Sequence, residues 1–418
     1  MPISDNRAAL KLSPDHALTE EQERLVGRVV AFCRQHVGGR GGVLVLEGPA
    51  GTGKSIVMNA AFARLRQAAG RGSGDALSGR SMMFLVNHPE MIKLYRRIAE
   101  GSAALRKRDY ERPTSFINQA RKSGQGADIV FVDEAHLLLS RRDAYNRFLQ
   151  DNQLEEIIRA SRVVVLVFDP RQVLKFKSFW DEAALRRLLG DRPVVFQRLT
   201  TQFRMQAHED VPRWIEAFGE RVLLPLPACQ PFDFRIFDDA QAMYDLIRRH
   251  EDEVGLCRML ATYDYPYILD GNDHFITEGR FHLRWDRALP QARLPWAERA
   301  DTIDEVGSVY TVQGFDLNYA GVILGPSVDY DAASDRITID ASLYEDGAAF
   351  AGKAGIADPA SARERIMLNA ISVLMTRPMR GLYLYASRPA LRARLMTLWR
   401  RRESVPARAM LRFSSGDE

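Results

Sequence analysis

The sequence predicts an α/β protein of two tandem domains, each built on a parallel, doubly wound sheet. The first observation behind this is a series of short β-branched runs: Val43–Leu46, Met82–Val86, Ile129–Val132, Val163–Phe168, Phe234–Phe237, Gly321–Leu324 and Leu382–Tyr385. They are continuously apolar rather than alternating, as strands buried on both faces are. The second is that stretches of helical spacing lie between them, among them Glu21–His36, Ser55–Ala69 and Ala240–Arg249; strands alternating with helices give parallel sheets. The third is length, because 418 residues exceed what one such sheet needs.

The strand at Val43–Leu46 opens the first domain and that at Phe234–Phe237 the second, with the boundary in the segment Gln206–Pro231, where a helical stretch ends in Leu223-Leu224-Pro225-Leu226-Pro227. The expected organisation is residues 1–205, then 206–388, then a basic C-terminal tail over 389–418. A small insertion is expected at about 88–122, where Tyr95, Arg96, Arg97, Tyr110 and Arg112 mix aromatic and basic character. That mixture fits either a strand-binding surface or a solvated helical face over a few buried aromatics.

Composition narrows the class. With 58 Lys+Arg against 54 Asp+Glu and 46% hydrophobic residues, charge does not oppose collapse, and intrinsic disorder is excluded for most of the chain. A net charge of +4 rules out a charge-dominated binder of nucleic acid but not a local basic groove. The 3 cysteines form no CxxC pair or disulfide framework, which points to a reducing compartment and buried thiols. No apolar run reaches membrane-spanning length and the N-terminal residues lack a signal-peptide core, so a cytoplasmic protein without a membrane partner is expected.

The strongest chemical signal follows the first strand: Gly48-Pro49-Ala50-Gly51-Thr52-Gly53-Lys54-Ser55, then a helix. Glycines let consecutive backbone N–H groups turn toward a phosphate, and the helix N-terminus adds its positive end. Lys54 then reaches the terminal phosphates and the Ser55 hydroxyl a Mg²⁺ ion. The apolar run Ile129–Val132 delivers Asp133 and Glu134 at its C-terminal end, where sites in open α/β sheets lie. Asp133 is the expected metal partner and Glu134 the group that polarises the attacking water. ATP and Mg²⁺ are the expected cofactors.

Asp133-Glu134-Ala135-His136 after such a loop resembles the superfamily 1 helicases, and further motifs follow in that family's order. Leu18-Thr19-Glu20-Glu21-Gln22 is similar to the segment whose glutamine reads the adenine edge, although Thr19 as a helix N-cap explains it nearly as well. Asp169-Pro170-Arg171-Gln172 resembles the element whose glutamine senses the γ-phosphate, and Gln202-Phe203-Arg204-Met205 the one whose arginine contacts it. The run from Glu305 through Thr311, Gln313, Gly314 and Asp316 resembles the fifth motif, with aspartate where glutamate is common. Thr376-Arg377 at the end of a helix resembles the sixth, whose arginine is a finger on the transferred phosphoryl group. Arg380 is either a second phosphate contact or a helix C-cap, the cap being the plainer reading.

The wording of the last two motifs is closest to the helicase-like domain of the Schlafen type. The resemblance runs from about Leu18 to Ala386 and implies two tandem RecA-like P-loop domains with ATP in the cleft between them. It implies catalysis by Lys54, Asp133, Glu134, Gln172, Arg204 and Arg377, with Gln22, the loop Gly48–Ser55, Gln313, Gly314 and Arg380 holding nucleotide. It implies single-stranded nucleic acid as partner, DNA ahead of RNA, with Asn87, Thr311, Arg96, Arg97 and Tyr110 as contacts. The expected function is a nucleic-acid-dependent ATPase that translocates on or remodels a single strand. The alternative is an ATP-gated switch that licenses a separate effector protein such as a nuclease.

Overall fold

The computed structural model describes residues 8–70, 76–180, 182–190, 192–199, 204–227, 230–267, 270, 272–286, 292, 294–352 and 356–403. Gln202 and Phe203 of the element that carries Arg204, with Thr200 and Thr201 before it, Cys229, and the end of the expected basic tail lie outside these. The chain forms two units. One contains the described residues up to 204 together with 347–352 and 356–362, and the other contains the described residues of 205–346 and 363–403.

The first unit holds a six-stranded sheet of β1 (Gly42–Glu47), β2 (Met82–Val86), β3 (Tyr110–Glu111), β4 (Ala127–Asp133), β5 (Ser161–Phe168) and β6 (Val194–Arg198). The spatial order is β3-β2-β4-β5-β1-β6 and every pairing is parallel. β1 is therefore interior, with Glu47 in register with Phe168 on one side and Arg198 on the other. The C-terminal ends of β4, β5, β1 and β6 thus lie side by side, which sets where the chemistry can be. Val43 to Leu46, Ile129 to Val132 and Val163 to Phe168 are all buried, the physical origin of their unbroken apolar runs.

Residues 88–122 are not an insertion. The helix Pro89–Glu100 buries Met91, Ile92, Leu94, Tyr95, Ile98 and Ala99. After it, β3 closes one edge of the sheet, and Pro113–Ser123 packs as the next helix. The segment 347–352 also belongs to this unit: the Phe176 N–H donates to Ala349 O (2.8 Å), and the Phe176 and Phe350 ring centroids are 5.5 Å apart.

The second unit has a seven-stranded sheet of β7 (Asp233–Ile236), β8 (Cys257–Ala261), β9 (Phe275–Glu278), β10 (Phe281–Trp285), β11 (Glu305–Gly307), β12 (Leu317–Leu324) and, after a separate hairpin of β13 (Val328–Asp331) and β14 (Arg336–Ile339), β15 (Pro378–Ala386). The order is β7-β15-β12-β8-β11-β10-β9, parallel except for the antiparallel β9-β10 hairpin at the edge. Trp285 and Trp296 are core residues here. Asp331 and Asp335 serve the β13-β14 turn through Ser334 and Tyr330.

Much of the expected basic tail is structural. The helix Pro389–Glu403 sends Arg402 to Pro227 O and Phe234 O, Arg392 to Tyr385 and Ala386, and Arg394 to Asp335. Among the described residues no helix is long and apolar enough to cross a membrane.

Candidate nucleotide site

The loop after β1 has the backbone that a phosphate cradle requires. Gly48, Gly51 and Gly53 have φ of 156°, 85° and 81°, a region closed to most side chains. At Gly53 the reason is also steric, because a Cβ there would lie 2.3 Å from Gln22 Nε2. Thr52 is fully buried and its hydroxyl donates to Pro49 O (3.1 Å), closing the loop on itself. Lys54 opens the helix Lys54–Gly70 and its ammonium donates to Gly48 O (2.7 Å) and Pro49 O (2.8 Å). Burial pulls the Lys54 pKa down, opposed by Asp169, Glu134 and Asp133, with the Arg204 charge adding to the depression.

Ser55 and Asp133 meet. The Ser55 hydroxyl donates to Asp133 Oδ1 (3.1 Å), which joins the β1 loop to the end of β4 across the intervening β5. Asp133 is completely buried, and burial together with the neighbouring Glu134 charge pushes its carboxyl up to about 6. Glu134 has φ 51°, an uncommon conformation for a non-glycine residue, and its Oε2 lies 2.9 Å from Nε2 of the wholly buried His136. A carboxylate held by His136 on a left-handed backbone, beside the buried Asp133, is an arrangement that can orient a water for in-line attack.

The hydroxyl and carboxylate oxygens of Ser55 and Asp133 form a hard donor pair suited to Mg²⁺. Among the described residues no group of three or more His, Cys, Asp or Glu is placed to hold a metal. A divalent ion here would therefore complete its shell with phosphate and water oxygens, as Mg²⁺ does at nucleotide sites. Bound there, it would neutralise charge developing on the phosphates.

Gln172, Arg204 and Gln22 lie at the same end of the sheet. Gln172 is buried and donates through Nε2 to Asp169 Oδ2 (2.7 Å), just beyond β5. The Arg204 N–H donates to Gly51 O (3.2 Å), which ties the backbone at Arg204 to the phosphate loop. Gln22 makes the cap: its Oε1 accepts the Thr19 N–H (3.0 Å) in a reciprocal capping box, while its amide nitrogen abuts Gly53.

Two residues that sequence reasoning did not assign belong here. Asp169 is the foremost attractive charge on Lys54, yet in the sequence it reads only as the lead-in to Gln172. Tyr95 donates to Asp133 Oδ2 (2.6 Å). Its signal was the helical spacing of Met91, Leu94, Tyr95 and Ile98, obscured by the arginines between.

Several expected nucleic-acid contacts are placed otherwise. Tyr110 is fully buried, stacks on Tyr95 (5.3 Å, 9°) and donates to Asn59 Oδ1 (2.7 Å), so its ring offers no face to a base. Arg96 spends its guanidinium on Tyr110 O and the Glu111 carboxylate, and Arg97, on the same helix, is partly exposed. Asn87, just past β2, donates to Leu137 O (2.6 Å) and so braces the segment after Glu134.

In the second unit, Thr311 donates to Ser308 O (2.9 Å) in the short helix Val309–Val312, Gln313 is buried, and Gly314 has φ 87°. Arg377 lies between the helix Pro359–Met375 and β15, buried, with Nε donating to Val373 O (3.0 Å). Its carbonyl accepts the Leu317 N–H. Arg380 is no helix cap: it is the third residue of β15, because the chain re-enters the sheet at Pro378, and its charge bears on Cys257 and Tyr319.

The profile of the Schlafen group 3 DNA/RNA helicase domain matches residues 41–388. The uncharacterized Saccharomyces cerevisiae protein YPL245W is 42% identical, with 94% of each chain covered. Among solved structures, Pif1 helicase from Candida albicans matches over 93% of this chain and 99% of its own at 10% identity and a TM-score of 0.35. AMPPCP-bound DnaA from Aquifex aeolicus matches over 50% of this chain and 56% of its own at 13% identity and a TM-score of 0.26.

Proposed function

The chain belongs to the Schlafen group 3 DNA/RNA helicase domain family, and we propose that it hydrolyses ATP in a reaction stimulated by single-stranded nucleic acid, to move along or remodel that strand. The observation that carries the ATPase reading is the Ser55 to Asp133 hydrogen bond (3.1 Å) beside the cradled Lys54. It joins the phosphate loop to the acidic strand end in the arrangement that Mg²⁺-dependent phosphoryl transfer uses.

In this reading Lys54 exchanges the carbonyls of Gly48 and Pro49 for phosphate oxygens. Glu134 orients the attacking water and accepts its proton. Gln172, held by Asp169, reports on the γ-phosphate, and Arg204 lies against the loop that binds it. Arg377 supplies positive charge to the transition state, where an arginine finger contributes a factor of about 10³ to 10⁵.

The test is steady-state ATP hydrolysis by the full chain with and without single-stranded DNA, single-stranded RNA and duplex, with Lys54→Ala and Glu134→Gln as controls. Both variants should abolish turnover, and single strands should stimulate the wild type. Hydrolysis indifferent to every nucleic acid would replace this reading with an ATP-gated switch that licenses a separate effector.

A further inference from the structure

The segment between the Glu134 turn and the helix Gln153–Arg159 carries an aromatic side chain displayed in a way the fold does not need. Tyr145 is 92% exposed at the tip of a tight turn, so its ring contributes nothing to the core. A single exposed aromatic is ordinary on a mobile loop, but this turn is pinned from several sides. Asp143 and Phe148 exchange both backbone hydrogen bonds (2.9 and 3.0 Å), and the Arg147 N–H donates to Ala144 O (3.0 Å). Arg147 sits at φ 56°, and Phe148 is wholly buried beneath the tip. Asn118 reaches across to donate to Arg147 O (3.3 Å).

The electrostatics point the same way. Residues 141–147 contain three arginines and one carboxylate. That carboxylate, Asp143, is buried and consumed by Lys177 Nζ (2.9 Å) and Asn146 Nδ2 (2.6 Å). Arg142 and Arg147 are exposed on either side of Tyr145. The result is an exposed ring on a pinned backbone, with arginines on either side of it in the chain, on the segment that leaves the same end of β4 as Asp133 and that Asn87 braces through Leu137.

We propose that Tyr145, flanked by Arg142 and Arg147, is a base-stacking contact for a single strand of nucleic acid, the arginines taking the flanking phosphates. The proposal rests on the nucleic-acid-dependent reading above and places its strand. Stacking on an aromatic ring tolerates any base, as a motor or remodeller requires, and a turn already pinned loses little backbone freedom on binding. A protein partner would have to bring carboxylates to the arginines.

The experiment measures binding of fluorescein-labelled single-stranded DNA and RNA to the full chain by anisotropy, for wild type, Tyr145→Ala, Tyr145→Trp and Arg142→Gln/Arg147→Gln. Tyr145→Ala should weaken binding about tenfold and Tyr145→Trp restore it. The double arginine variant should flatten the dependence of affinity on salt. Oligonucleotides carrying 5-iodouracil should crosslink within residues 141–147, mapped by mass spectrometry, and thermal melts should show every variant folded. If wild type binds and Tyr145→Ala binds equally well, with crosslinks elsewhere, the assignment of this turn is wrong and the ring is left to a protein partner. If wild type binds no single strand, the reading on which the proposal rests has failed instead.

Discussion

The Tyr95 hydroxyl donates a 2.6 Å hydrogen bond to Oδ2 of Asp133, leaving Oδ1 to accept from Ser55 and from the Glu134 N–H. Both oxygens of a buried carboxylate are thereby aimed, and the aim is held by Tyr110 stacked on Tyr95 and bonded to Asn59. Tyr95→Phe should cut the kcat of ATP hydrolysis about tenfold, the scale of one hydrogen bond to a charged group. It should raise the Mg²⁺ concentration needed for half-maximal rate while leaving metal-free nucleotide binding nearly unchanged. A Mg²⁺ titration of both proteins decides it, and an unaltered midpoint would reduce the hydroxyl to packing.

Gly53 cannot accept a side chain for two separate reasons, its φ of 81° and the 2.3 Å approach of a Cβ to Gln22 Nε2. Gly53→Ala should lower affinity for a fluorescent ATP analogue by more than about tenfold, the left-handed conformation alone costing roughly 1–2 kcal/mol. Gln22→Ala removes the close contact and the capping box, at about 1 kcal/mol of stability. The double variant should therefore not recover binding.

Asp169 faces two ways, toward the Lys54 charge and, through 2.7 Å, toward Gln172 Nε2. Asp169→Ala should free the glutamine and lower kcat about tenfold, with nucleotide affinity within roughly threefold of wild type, since a negative neighbour of the phosphates is lost along with an anchor. Comparison with Gln172→Ala and the double variant tests this, because residues acting as one unit give non-additive losses.

Arg377→Ala should lose most turnover, toward the ~10³-fold expected of a finger, and keep nucleotide binding. Because its Nε also holds Val373 O, a drop in melting temperature should accompany this, and Arg377→Lys should share the loss of turnover. Equal collapse of binding and turnover would make the residue structural.

In the second unit burial pushes the Asp264 carboxyl up to about 6 and that of Asp286 up to about 7, against hydrogen bonds from Ser327, Thr262, Ser308 and Tyr263 that favour ionisation. Both folded-state values exceed those of an unfolded chain, so the native state holds more protons between about pH 4 and 7. Stability should fall as pH rises through that window and level off above it. Asp286→Asn, followed by urea midpoints from pH 5 to 8, should flatten the slope and raise the midpoint at pH 8.

Most interior strands were legible because they are buried on both faces: Val43–Leu46 became Gly42–Glu47 and Val163–Phe168 became Ser161–Phe168, whereas the interior β8 and β11 were not, Arg258 breaking one apolar run and the other having only three residues. Of the edge strands only β7 was, expected at Phe234–Phe237 and found at Asp233–Ile236. β3 has two residues, β6 is only partly buried along its length, and the β9-β10 hairpin mixes exposed and buried positions, so none carries a continuous apolar signature. At the site, residues whose type the chemistry dictates stood out, namely Lys54, Ser55 and Asp133. Tyr95 and Asp169 act by touching those residues from elsewhere in the fold, and local spacing carries no record of such a touch. Tyr110 misled for the converse reason: an aromatic among arginines looks the same in sequence whether its ring faces solvent or Asn59.

The contact between Phe176 and Phe350 bears on how the chain can be divided. A fragment ending at Arg204 would leave Phe176 without the ring and the carbonyl that 347–352 supplies, and one beginning at Met205 would carry Phe350 away from its socket. The first unit is thus complete only as two pieces of chain separated by more than a hundred residues. Severed halves mixed together should regain through complementation what neither has alone, whereas either half studied singly would report on a protein missing part of its own wall.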